Sequence, residues 1–134
     1  MLVKHVMSSP AICIDHSSSI SKTIELMKEK DLGFLPVTEN DVLVGVITDR
    51  DILLRGHEKR FNTQIGKIMT NDNIHLISPS DSLEEAARVM SAHKVRRLVV
   101  VEDDLIKGVI TSKDLLYEES LIPYIKQTYL NSTY

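Results

Sequence analysis

The chain has 134 residues, 43% of them hydrophobic and 26% charged, which is enough for one domain with its own core and short for two independent ones. A net charge of −3 and a pI near 5.9, with no basic face or aromatic-basic stripe, exclude general affinity for nucleic acid or anionic membranes. Cys13 is the sole cysteine, so an intrachain disulfide is impossible and a zinc–thiolate site is not expected.

From the N-terminus, Met1–Pro10 lacks the apolar stretch of a signal peptide and no run reaches membrane-spanning length, so the cytoplasm is the expected location. Ile12-Cys13-Ile14 reads as a short strand, followed by the cap residues Ser17-Ser18-Ser19. A helix with apolar residues at Ile20, Ile24 and Met27 comes next, then a strand over Phe34–Thr38. The turn Glu39-Asn40-Asp41 leads into Val42–Thr48, which completes a hairpin; Gly45 predicts a bulge or a close backbone approach. A helix begins beside Asp49, and Arg55 to Lys67 reads as a connection.

The series then runs again. Leu76-Ile77 is the short strand, and Ser80-Asp81-Ser82 precedes a helix with apolar residues at Leu83, Ala87 and Met90. Ser82 with Glu85 has the spacing of a capping box. Arg97–Val101, the turn Glu102-Asp103-Asp104 and Leu105–Thr111 form the second predicted hairpin, broken by Gly108 and followed by a helix beside Ser112. Residues from Tyr117 onward read as a polar extension, partly helical before Pro123.

The duplication is close to literal. Gly45-Val46-Ile47-Thr48-Asp49-Arg50-Asp51-Ile52-Leu53 matches Gly108-Val109-Ile110-Thr111-Ser112-Lys113-Asp114-Leu115-Leu116, with Thr48 and Thr111 lying 63 positions apart. Val6-Met7-Ser8 matches Ile68-Met69-Thr70 at an offset of 62. The expected fold class is therefore α/β (α+β), with two tandem β-α-β-β-α repeats. The division expected in chain order is repeat one with its connection over 1–62, repeat two over 63–118 and an extension over 119–134. Two copies are too few for an open solenoid, so they should close on each other. Packing alone would not need a hydroxyl and a carboxylate twice at the same spacing, which points to two related binding sites.

These features resemble the cystathionine-β-synthase (CBS) domain family in its tandem form, often called a Bateman module. The duplicated G-h-h-T-x-x-D-h-h, the strands ending Leu35-Pro36-Val37 and Leu98-Val99-Val100, and the two Val6-Met7 and Ile68-Met69 lead-ins carry the likeness over roughly residues 3–118. The resemblance implies pseudo-twofold symmetry, clefts between the repeats that take an adenosine-type ligand (AMP, ADP or ATP, in some members S-adenosylmethionine or others), pairing into dimers, and a sensing role. No obligatory cofactor is implied.

A carboxylate accepts two hydrogen bonds, so Asp51 or Asp114 can clasp the 2′- and 3′-hydroxyls of a ribose, while Thr48 or Thr111 can donate to a phosphate or the ribose. The plainer reading is that each pair caps the helix that follows. The resemblance implies a first site of Thr111, Asp114, Arg96 and Arg97, with an adenine wall of Ser8, Ser9, Ile12, Leu32, Gly33 and Phe34. It implies a second of Thr48 and Asp51, with a wall of Met69, Thr70, His75, Val95, Arg96 and Arg97. His93 to Val101 resembles the phosphate-contacting segment of AMP-kinase γ subunits, and two guanidiniums suit phosphate oxygens. The positions matching Arg96 and Arg97 in repeat one hold Gly33 and Phe34, so the first site should be the stronger, although Arg50 or Lys113 could assist the second.

The five histidines form no metal pattern, and no P-loop or G-x-S-x-G motif occurs, so metal ligation and catalysis have little support. Two other readings stay open: a structural dimerisation module without a nucleotide, and a variant that binds S-adenosylmethionine or NAD. Amphipathic helices predict a homodimer built on helical faces. The competing expectation is that Leu121, Ile122, Tyr124, Ile125 and Tyr129 of the extension fold back over that surface.

Overall fold

The structure is a computed structural model that describes residues 1–131, apart from the side chains of Thr128, Tyr129 and Asn131. In chain order its elements are α1 (Val3–Val6), β1 (Ile14–Asp15), α2 (Ile20–Lys30), β2 (Phe34–Glu39), β3 (Val42–Thr48) and α3 (Asp49–Arg55). A 3₁₀ turn (Ile65–Lys67) follows, then β4 (Leu76–Ile77), α4 (Leu83–His93), β5 (Arg97–Glu102), β6 (Leu105–Thr111), 3₁₀ turns over Ser112–Tyr117 and Glu119–Leu121, and α5 (Ile122–Asn131). The class is mixed α+β, with two three-stranded sheets in the orders β1-β2-β3 and β4-β5-β6.

Local chemistry explains both copies. Ser19 and Ser82 cap α2 and α4, each hydroxyl accepting a backbone N–H three residues on at 3.0 Å. The hairpin turns place Asn40, Asp41, Asp103 and Asp104 at φ of 51°, 64°, 53° and 64°. Two consecutive left-handed residues give a turn whose twist matches that of the strands, and Asn and Asp tolerate that backbone well. Each hairpin carries a bulge beside its glycine: Val37 faces Gly45 while Thr38 faces Leu43, and Val100 faces Gly108 while Val101 faces Ile106.

The chain forms two compact units whose bounds are not two halves of the sequence: Ile12–Ile74, and Met1–Ala11 together with residues 75–131. The lead-ins are the reason. Val3 and Lys4 donate their N–H groups to Asp81 and Pro79 carbonyls at 2.8 and 2.9 Å, and Val3 is fully buried among Leu83, Met90, Leu98 and Ile110. In the other unit Ile65 and Gly66 donate to Ser18 and His16 carbonyls at 2.8 and 2.9 Å, and Ile65 and Ile68 are buried with Ile20, Leu35 and Ile47. Each lead-in thus supplies apolar side chains and strand-edge hydrogen bonds to a unit whose sheet lies elsewhere in the sequence.

Four local expectations are corrected. The first strand begins at Ile14 and leaves Ile12 and Cys13 outside it. Ile24 is 37% exposed; the buried face of α2 is Ile20, Thr23 and Met27, because the Thr23 hydroxyl is satisfied by the Ser19 carbonyl at 2.9 Å. The Glu85 carboxylate does not complete the capping box but pairs with Arg88, at 2.9 and 2.6 Å, and that fork holds its pKa below the usual range. The last helix of repeat two is 3₁₀, not α. Finally, α5 packs on α4 and on the Ser112–Tyr117 turn, and Leu121 and Ile125 are buried there, so the extension does fold back over repeat two. Tyr124 stays largely exposed, and the Tyr129 side chain lies outside the described residues.

Candidate ligand-binding site

In the repeat-two unit, β5 and β6 set Arg97 directly across from Thr111. The chain turns out of β6 at Thr111, whose N–H donates to Asp114 Oδ2 at 2.8 Å while its hydroxyl lies 3.3 Å from the same oxygen. The Ser112 N–H donates to the Arg96 carbonyl at 2.9 Å, which fixes both arginines beside that corner. Ser8 lies along β6, exchanging backbone hydrogen bonds with Val109 at 2.9 and 3.1 Å. Gly108 permits this approach: a Cβ there would lie 2.5 Å from the Ser8 carbonyl oxygen and 2.9 Å from Met7 Sδ. The fold therefore brings Ser8, Arg96, Arg97, Thr111 and Asp114 to one strand end, and Ser9 enters the following Pro10 through a cis peptide bond.

The repeat-one unit repeats this plan with a different outcome. Phe34 stands across from Thr48, and the Asp49 N–H donates to the Gly33 carbonyl at 3.0 Å. Thr48 and Asp51 are fully reciprocal: the Thr48 N–H donates to Asp51 Oδ2, and the Asp51 N–H to Thr48 Oγ1, both at 3.0 Å. Thr70 pairs with Val46 through two 2.8 Å backbone bonds, as Ser8 does with Val109, and its hydroxyl donates to the Asp51 carboxylate at 3.1 and 3.3 Å. Arg55 Nη2 closes on Asp51 Oδ1 at 3.3 Å. Arg55 was not among the residues singled out from the sequence; its signal was its place four residues after Asp51 on one helix face.

The remaining candidates fall as follows. Ile12 (38% exposed), Leu32, Gly33 and Phe34 belong to the repeat-one unit, whereas His75 and Val95 belong to the repeat-two unit. His75 stacks on His93 with ring centroids 4.2 Å apart, and burial followed by the neighbouring His93 lowers its pKa. Cys13 is half-buried and burial pushes its thiol up, as suits a packed residue. Among the described residues, no group of three or more His, Cys, Asp or Glu is arranged to hold a metal ion. No described helix is long and apolar enough to cross a membrane.

A family model described as the CBS domain matches residues 3–58 and again 65–120. The chain belongs to the CBS-domain family. It carries the tandem pair, and its CBS lead-ins, hairpins and Thr–Asp corners are the repeated parts described above. Hypoxic response protein 1 of Mycobacterium tuberculosis is 28% identical over 129 residues, covering 92% of this chain and 90% of that protein. Its crystal structure, which holds two coordinated zinc ions, aligns with a TM-score of 0.77 over 87% of this chain and 98% of that one. CBSX2 in complex with AMP is 29% identical, with a TM-score of 0.73 over 87% of this chain and 93% of that one. A CBS domain pair in complex with 5′-methylthioadenosine and S-adenosyl-L-methionine is 26% identical, with a TM-score of 0.77 over 87% and 94% of the respective chains. CBS pairs are regulatory modules, and some bind AMP or S-adenosylmethionine.

Proposed function

We propose that this CBS pair is a ligand-sensing regulatory module whose ligand is an adenine nucleotide (AMP, ADP or ATP), bound through the Thr111–Asp114 corner of repeat two. The observation that carries the reading is the state of Asp114. Among the described residues it is bonded by Thr111 alone, so carboxylate acceptor capacity remains for a ribose diol. Arg97, directly across the strand pair, and Arg96 beside it give the same corner the cationic donors that a phosphate needs. AMP and S-adenosylmethionine share adenosine, so both relatives are compatible with such a corner; the paired arginines favour the phosphorylated ligand. Ligand binding would act by favouring one state of the module over another, which requires different affinity for the two.

A homodimer accompanies this reading. Leu53 and Leu54 are 70% and 54% exposed, and their counterparts 63 positions on, Leu116 and Tyr117, are 57% and 69% exposed. Large apolar side chains left outside at the same place in both repeats suit an association surface.

Thermal-shift titration with AMP, ADP, ATP, NAD and S-adenosylmethionine tests the proposal, because a ligand that binds only the folded chain stabilises it by mass action. An adenine nucleotide should raise the melting temperature, and Asp114→Asn should remove most of that rise. No shift with any of the five would leave the structural dimerisation module as the better account.

A further inference from the structure

The two copies of the motif differ in what their carboxylates already hold. Asp51 is 4% exposed and takes the Thr48 N–H at 3.0 Å, the Thr70 hydroxyl at 3.1 and 3.3 Å, and Arg55 Nη2 at 3.3 Å. The same guanidinium donates to the Met69 carbonyl at 3.3 Å and the Ile68 carbonyl at 3.5 Å, and to Thr70 Oγ1 at 3.2 Å. Thr70 therefore donates its one hydroxyl proton to Asp51 and accepts from Arg55, which closes a three-residue ring. At the matching position repeat two has Glu118, which cannot bond a carboxylate in this way and instead pairs with the Met1 amino group at 3.0 Å. Ser8 stands where repeat one has Thr70.

We propose that Arg55 is a specificity-determining latch that keeps the Asp51 carboxylate closed to a ribose, so that this chain takes nucleotide by repeat two alone. The proposal rests on the reading of Asp114 as a ribose clasp. A ribose diol would need two acceptor positions on Asp51, which is buried and has one oxygen shared with a charged donor and a hydroxyl, and the other with a backbone N–H. Seating the ligand requires the guanidinium to leave, which would strip Asp51 of its cation and the Ile68 and Met69 carbonyls of a donor in one move. Ribose hydroxyls and the guanidinium would both make charge-assisted bonds to this carboxylate, but only the guanidinium also neutralises its charge and at the same time holds the Ile68 and Met69 carbonyls, so two uncharged hydroxyls do not replace it. The latch also ties the lead-in Ile68–Thr70 to α3.

Isothermal titration of the full chain with AMP and with 2′-deoxy-AMP tests this, using wild type, Arg55→Met and Arg55→Met/Asp51→Asn. Methionine keeps an unbranched stem of similar reach, and circular dichroism checks that the variants fold; Arg55→Gln serves in its place if the methionine variant does not. The wild type should bind one AMP per chain and Arg55→Met two. The new site should bind 2′-deoxy-AMP about tenfold more weakly than AMP, and it should vanish with Asp51→Asn. One AMP per chain in both, with unchanged affinity, overturns the latch and leaves the repeat-two reading standing. No binding by wild type but binding by Arg55→Met supports the latch and removes the repeat-two reading. No binding by either overturns both, and two AMP per wild-type chain overturns the latch.

Discussion

Asp51 and Asp114 occupy the same place in a repeated sentence, yet one is buried under an arginine and the other is held by its own threonine alone among the described residues. The motif itself was legible as Thr and Asp at fixed spacing, and the plainer reading holds geometrically, since each pair bonds across the start of the segment that follows. What the spacing could not express was occupancy. That depends on Arg55 and Thr70, four residues after Asp51 and nineteen after it, and on the exchange of Arg55 for Glu118 in the second copy. Arg97→Ala should weaken AMP binding about tenfold or more, because a charge-assisted bond contributes roughly 1.5–3 kcal/mol, whereas Phe34→Ala should change it much less. Titration calorimetry of the two variants side by side checks this; equal effects would remove the phosphate role of Arg97.

Gly108 makes a second residue-scale claim. The sequence marks it as a break in a strand, and the structure gives the cause: the lead-in backbone at Ser8 occupies the space of a side chain. Gly108→Ala should push Met7 and Ser8 away from β6 and cost about 1–3 kcal/mol of stability, the usual range for overpacking. Urea denaturation measures it, and a change below about 0.5 kcal/mol, the level of an ordinary surface substitution, would mean that the lead-in is not held there.

At the scale of elements, the hairpins were the most legible part, because two short apolar runs flank an Asn-Asp or Asp-Asp turn in each copy. Helix starts were legible from their serines. The errors share one source: the partner that decided each position was not part of the pattern being matched. Spacing points Ile24 inward, although Thr23 is buried by bonding the Ser19 carbonyl, and Glu85 pairs with Arg88 in place of the cap. The allegiance of the lead-ins was invisible for the same reason, since Val3 and Ile65 pack on sheets formed by later or earlier stretches. The sequence leaves two places open for the C-terminal extension, and the structure has α5 lying on α4. Truncation after Glu118 removes the buried Leu121 and Ile125 and bares part of α4; with about 1.5–3 kcal/mol for each buried aliphatic side chain, the chain should lose several kcal/mol. Thermal melting should drop clearly, and light scattering should report more association than in the full chain. An unchanged melting temperature would show that α5 contributes nothing to repeat two.

For the whole molecule, duplication set the class and the family, and the structure adds that the two Thr–Asp corners have diverged in what holds their carboxylates. On the proposed reading, with Asp114 as the ribose clasp and Asp51 latched by Arg55, the module would respond to a single nucleotide concentration without cooperation between two sites. The direct test is calorimetric titration of the wild-type chain and of Asp114→Asn with AMP and 2′-deoxy-AMP. If Asp114 clasps the ribose, wild type binds AMP about tenfold more tightly than the deoxy compound, since an unsatisfied buried partner costs roughly 1–3 kcal/mol, and the variant binds both weakly with little difference between them. Equal affinity of the wild type for the two nucleotides, left unchanged by Asp114→Asn, would contradict the account.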